Sequence, residues 1–163
     1  CMDSAKIATR NSMIRYATEQ LRDRATNTWA YLDAGNARWV PAGTMASRLD
    51  SAGVRNIRGY SINVSNYIPT GESTAYGNSV SSSLPGYTKP FIIDTSRNGN
   101  GSNGEWCNPA GRKLGTPSQV GGGAEMLLWI KVPGDSDGTC GVGASIPAGT
   151  FSPDLAMRLV NGS

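Results

Sequence analysis

LWIKVPGDSDGTC, residues 128–140, decides how the rest of the chain is read. Leu128, Trp129, Ile130 and Val132 form a short apolar run around one lysine, Lys131, which is the pattern of a strand buried on both faces. Pro133 and Gly134 stop it. Asp135 and Asp137 follow on a turn closed by Gly138, and in an extended turn both carboxylates leave the same side. Two acids and an ammonium at the carboxyl end of a buried strand match the place where α/β enzymes carry reactive groups, because the rigid strand positions what the loop exposes. The same residues also suit an acid-rich turn that merely solvates a loop.

The segments on either side supply the architecture. Residues 4–25 read as an amphipathic helix with Ile7, Ile14, Ala17 and Leu21 near one face. Strands are expected at 29–33, 57–64, 91–94 and 126–132, with helices at 45–52 and 72–84 and a polar loop at 95–123. Ser152 caps a last helix that has Pro153 in its first turn and Leu155, Leu159 and Val160 inward. No two strands are spaced as a hairpin, so the order points to repeated βα units and a parallel sheet. Polar groups recur at the strand ends, at Asp33, Asn63, Asp94 and Asp137. A closed βα barrel needs about 200–250 residues and eight strands, so four strands amount to half of one. Half a barrel leaves strand edges and an inner face uncovered. The expectation is therefore one partial domain over residues 1–163, completed by a further half.

Composition narrows the chemistry. The chain has 163 residues and a formal charge of +3, with nine Lys/Arg against five Asp/Glu in residues 1–58 and six against seven in residues 59–163. That basic part reads as helix surface, and no nucleic-acid partner is expected. No segment approaches the roughly 18 consecutive apolar residues of a membrane span, no signal peptide is read at the start, and the chain is expected to be soluble. The sequence contains no histidine, which excludes His-based metal sites and Ser-His or Cys-His catalysis. No metal or cofactor is expected, and acid–base work falls to Asp, Glu, Lys or Tyr. Cys107 and Cys140 lie in loops rich in Gly, Asn and Asp, which suits a disulfide between two loops in an oxidising compartment. Closing that 33-residue separation would stabilise the fold, by about 3–4 kcal/mol if loop entropy governs. Cys1 is left over, as though its partner lay in other sequence.

YLDAGNARW (31–39), SINVSNY (61–67), IIDTSRNGNG (92–101), EWCNPAGRKLGTP (105–117) and LWIKVPGDSDG (128–138) together resemble the successive blocks of glycoside hydrolase family 6, the inverting cellulases. The resemblance implies an α/β fold, the C-terminal half of a distorted parallel (β/α) barrel, and hydrolysis of β-1,4-glucosidic bonds in cellulose. Inversion uses one carboxylic acid to protonate the leaving oxygen and a carboxylate to activate water, roughly 6.5–9.5 Å apart. By position Asp137 matches the base, and Lys131 and Asp135 match residues lining the cleft beside it. Asp33 and Arg97 match polar residues of the same cleft. Trp39 and Trp106 match tryptophans that stack on glucose rings, and Asn36 and Asn63 match sugar-binding positions. The family usually has histidine where Asn36 stands, and asparagine still hydrogen-bonds a sugar but cannot titrate. Trp29 and Trp129 are expected in the core.

The same resemblance places the catalytic acid before Cys1, together with the partner of that cysteine, so this chain alone is expected to be inactive. It also implies secretion. The short connection at 138–151 favours an open cleft and internal cleavage over the tunnel of a cellobiohydrolase. A noncatalytic glucan-binding fragment is the alternative of a different class, and a structural βα domain whose aspartates only cap turns is another.

Overall fold

The computed structural model describes residues 2–163; the expectation for Cys1 lies outside them. The chain runs α1 (Ser4–Arg24), β1 (Tyr31–Asp33), α2 (Ala42–Ser51), β2 (Gly59–Ile62), α3 (Thr70–Ser82), β3 (Phe91–Asp94), β4 (Gln119–Val120), β5 (Met126–Leu128) and α4 (Pro153–Asn161). The five strands form one sheet in the order β1-β2-β3-β5-β4. The first four in that order are mutually parallel, as the βα order implies.

The core lies where α2 and α3 cover β2 and β3. Tyr60 is in register with Phe91, and Ile62 with Ile93, so the four side chains share one face. Met45, Ala46 and Leu49 of α2 and Tyr76 and Val80 of α3 complete it, with Leu127 of β5. Burying a side chain such as Ile93, which is 0% exposed, contributes about 1.5–3 kcal/mol. The Tyr60 and Phe91 rings stack with centroids 5.7 Å apart, and the Tyr60 hydroxyl donates to the Gly77 carbonyl at 2.7 Å. A side chain at Gly77 would run into the Phe91 ring, so glycine there lets α3 approach the sheet.

Several expectations are corrected. α1 forms, with Asp3 accepting from the Lys6 N–H at 2.8 Å at its start, but it docks through polar groups. Ile7, Ala17 and Leu21 are exposed, and Thr18 is its buried residue. Arg15 donates to the Asp50 and Ser51 carbonyls, Thr18 accepts from Asn56, and Arg22 donates to Asn56.

The expected strand at 126–132 ends at Leu128. The backbone N–H groups of Ile130 and Lys131, which a longer strand would give to a neighbour, go to the Asp94 carboxylate at 3.3 and 3.1 Å. Trp129, Ile130 and Val132 are consequently part-exposed or exposed rather than core. β4 and β5 do form an antiparallel pair across the glycine-rich turn at 121–123, contrary to the reading that no strands are hairpin-spaced. Trp29 lies before β1 and is exposed, with the Arg58 guanidinium 4.4 Å from its ring centroid. In α4, Ser152 accepts from the Leu155 N–H and Leu155 and Leu159 are buried, while Val160 faces solvent.

Candidate active site

Three turns leave the carboxyl ends of β2, β3 and β5, and Asp94, the last residue of β3, ties them together. Its Oδ2 accepts from the N–H groups of Ser65 (2.9 Å) and Lys131 (3.1 Å), and its Oδ1 from those of Ser96 (2.9 Å) and Ile130 (3.3 Å). Asn63 adds a second tie: its side-chain amide donates to the Asp94 and Ile68 carbonyls and accepts from the Ile68 N–H at 3.0 Å. Asn63 is wholly buried, and its left-handed backbone, φ 68°, is one that asparagine tolerates. It holds the turn after β2 with its amide spent on backbone groups, where the sequence led to the expectation that it binds sugar.

Asp137 sits where these turns converge, with its side chain 8% exposed. Its Oδ2 accepts from the Arg97 guanidinium at 2.7 Å, the Asn108 N–H at 3.0 Å and the Tyr67 hydroxyl at 3.1 Å. Lys131 Nζ lies 3.7 Å from its Oδ1. Arg97 also donates to the Ser65 carbonyl at 2.6 Å and lies over the Tyr67 ring at 4.5 Å. Burial on its own would push the Asp137 pKa up, but the Arg97 hydrogen bond and charge, the Asn108 N–H and the Lys131 charge outweigh it and hold the carboxyl below its ordinary value. Burial pushes the Tyr67 phenol up, so it remains a donor at neutral pH.

Asn108 has no motif that would single it out, yet it is the hinge of the site. Besides the N–H given to Asp137, its side chain accepts from the Asp137 N–H at 2.9 Å and donates to the Gly138 carbonyl at 2.7 Å. The adjacent Cys107 is bonded to Cys140, with Cα atoms 5.9 Å apart, so the disulfide fastens the two loops that carry these contacts. Its position beside Cys107 was the available signal.

Asp137 and Lys131 open onto a cleft of about 430 Å³, shared with Ser65, Asn66, Trp39 and Trp106. Both tryptophans expose most of their surface, 63% and 67%. The Trp39 ring packs close to Gly35, whose left-handed φ of 65° and missing side chain make room for it.

Three expected cleft residues lie elsewhere. Asp135 lines a small cavity against α4 with Leu155 and Arg158, because Ser136 folds the turn, its hydroxyl accepting from the Gly138 N–H at 3.1 Å. The two aspartates therefore serve opposite sides. Asp33 accepts from the Gly35 N–H at 3.0 Å and lines a groove between α1 and α2. Asn36 is buried, its side-chain carbonyl accepting from the Arg38 N–H at 2.9 Å. Among the described residues no group of three or more His, Cys, Asp or Glu side chains could hold a metal ion, and no helix is long and apolar enough to cross a membrane.

The family model for glycosyl hydrolases family 6 matches residues 1–163. The chain belongs to that family. Endoglucanase 1 of Streptomyces halstedii is 59% identical over 165 residues, covering 99% of this chain and 51% of the relative. Endoglucanase A of Cellulomonas fimi is 44% identical over 153 residues, covering 92% and 33%. The solved endoglucanase Cel6 of Mycobacterium tuberculosis, in complex with a methyl-cellobiosyl-4-deoxy-4-thio-β-D-cellobioside, superposes with a TM-score of 0.90 at 41% identity, covering 99% of this chain and 56% of that one. The mostly parallel α/β fold is thus that of family 6 cellulases, and the chain spans about half the length or less of the relatives it matches.

Proposed function

We propose that this chain supplies the water-activating carboxylate and the sugar platforms of a secreted, inverting endo-β-1,4-glucanase. The observation that carries the reading is a single cleft in which a buried aspartate, paired with Arg97, stands beside two exposed tryptophans and a lysine. A tryptophan face covers the axial C–H surface of a glucose ring and leaves its hydroxyls free for polar partners such as Lys131 and Asn66.

Asp137 Oδ2 is occupied by three donors, which leaves Oδ1 to orient a water toward the anomeric carbon. In the reaction the glycosidic C–O bond breaks as a proton reaches the leaving oxygen from an acid, and the water oxygen bonds to the opposite face of the carbon and loses its proton to Asp137. A carboxylate with a lowered pKa is a weak base. It suffices here because the water becomes strongly acidic as it bonds to an oxocarbenium-like centre, and Lys131 and Arg97 keep the accepting form populated. Asp137 is the one carboxylate lining the cleft among the described residues, so the proposal assigns the acid to the other half of the domain.

Internal cleavage is favoured by the compact 138–151 connection, whose Ala148 and Gly149 line the cleft, and by the endoglucanase names of the relatives at 59% and 44% identity. Relatives at 34% and 31% identity carry exoglucanase and cellobiohydrolase names. The disulfide suits an oxidising, extracellular setting. The test is Asp137→Ala in the completed enzyme: near-total loss of hydrolysis with retained binding of cellooligosaccharides is expected, and retention of most of the rate would remove Asp137 as the base.

A further inference from the structure

Asp94 is buried at 0% exposure, and none of its carboxylate oxygens lines the cleft, yet it governs what surrounds Asp137. Each of its four hydrogen bonds from backbone N–H groups ends on, or next to, a residue that contacts Asp137 or its partner Arg97. Ser65, whose N–H it accepts, offers the carbonyl that takes one arm of the Arg97 guanidinium. Ser96, whose N–H it also accepts, directly precedes Arg97. Ile130 and Lys131 give it their N–H groups at the point where β5 stops, and Lys131 then reaches Asp137 Oδ1. The two cationic partners of Asp137 thus leave from turns that close on one carboxylate. All four groups facing its two oxygens are donors, so both oxygens serve as acceptors.

We propose that Asp94 is a positioning residue for the hydrolytic site, setting where Arg97 and Lys131 stand around Asp137 by gathering the N–H groups of three turns. The proposal rests on the reading of Asp137 as the reacting carboxylate. It assigns Asp94 no contact with substrate and no proton transfer.

The test uses the chain of residues 1–163 with ¹³C-labelled aspartate carboxyls and follows Asp137 by NMR across acid pH. Asp94→Asn turns an NH₂ group toward two of the four donors, and its expected result is a rise of the Asp137 pKa toward the ordinary aspartate value as Arg97 and Lys131 move away. Ile93→Val, which weakens the same strand beside Asp94, leaves the Asp137 titration unchanged. If both variants shift it equally, or neither does, Asp94 is merely structural and the proposal is overturned. Should Asp94→Asn not fold, amide exchange in the unaltered chain still decides. The N–H groups of Ser65, Ser96, Ile130 and Lys131 are expected to exchange as one slow set, far slower than the turn amides of Val64 and Val132, and rapid exchange at Ser65 and Lys131 would overturn it. In the completed enzyme Asp94→Asn lowers kcat by about 100-fold with KM little changed, the pattern of misplaced groups rather than lost binding; an unchanged kcat would overturn the positioning role. The titration and exchange need no hydrolysis, so they judge Asp94 even if Asp137 proves not to be the base.

Discussion

Two clusters in this molecule have the same parts and opposite fates. At the carboxyl ends of the strands, Asp137 pairs with Arg97, accepts from the Tyr67 hydroxyl, and has the guanidinium over an aromatic ring. Next to the first residues of β1, β2 and β5, Glu125 pairs with Arg58, accepts from the Tyr31 hydroxyl at 2.6 Å, and has the guanidinium over Trp29. The pairs differ in burial: the Arg97 and Asp137 side chains are 4% and 8% exposed, against 42% and 14% for Arg58 and Glu125. They differ also in what adjoins them. Asp137 opens onto exposed tryptophans and a second cation, whereas Arg58 and Trp29 border a groove with no carboxylate. A carboxylate–arginine–tyrosine group is thus ordinary structural chemistry. Its placement at the strand carboxyl ends, beside a cleft lined by exposed tryptophans, is what makes one of them a candidate for catalysis.

The largest expected difference between the two is in stability. Arg97→Ala leaves Asp137 buried with its main counter-charge gone and should cost about 3–5 kcal/mol in a urea melt of the chain. Arg58→Ala, at a pair that solvent already screens, should shift the same melt far less. Equal losses would mean that burial does not separate the pairs.

Glucan binding should separate them next. Trp39→Ala and Trp106→Ala should each weaken cellohexaose binding by roughly tenfold in a calorimetric titration, and Trp29→Ala should leave it unchanged. A loss on Trp29→Ala would extend the sugar-binding surface to the opposite end of the sheet.

A smaller effect lies in acid. Folding lowers the pKa of both Asp137 and Glu125, so the folded chain binds fewer protons than the unfolded one in that range. Their contributions are complete above the unfolded values of about 3.9 and 4.3 and are lost as the pH falls through the folded values. Asp137→Asn and Glu125→Gln should therefore each flatten the acid side of the stability profile, with urea midpoints measured between about pH 2 and 7. The smallest change is local: Arg58→Ala should alter the fluorescence of Trp29 through the lost cation–π contact while glucan binding stays constant.

The contrast also explains what the sequence made legible. FIID at 91–94 is a strand with the bounds its pattern implies, because an apolar run that meets a polar turn has few other solutions. Leu155 and Leu159 of α4 were readable for the same reason. Trp39, Trp106, Lys131 and Asp137 meet in one cleft, as their block positions imply. What escaped depends on polar groups folding back on the backbone. Asp94 consumes the N–H groups that would have lengthened β5, and no spacing in the sequence marks a carboxylate that does so. Asn63 looks like an exposed polar strand end and is a buried staple, and Ser136 turns Asp135 away from Asp137. α1 hid its polar docking behind an apparently apolar stripe, because Arg15, Thr18 and Arg22 bind carbonyls and an asparagine that lie far away in the sequence.

The most direct measurement is release of reducing ends from carboxymethylcellulose by residues 1–163, alone and after adding the complementary half of a related family 6 domain. No release is expected from the chain alone, release is expected from the combined halves, and Asp137→Ala should abolish it. Hydrolysis by residues 1–163 alone would contradict it, because the acid would then lie within this chain and the cleft at Asp137 would not be half of a shared site.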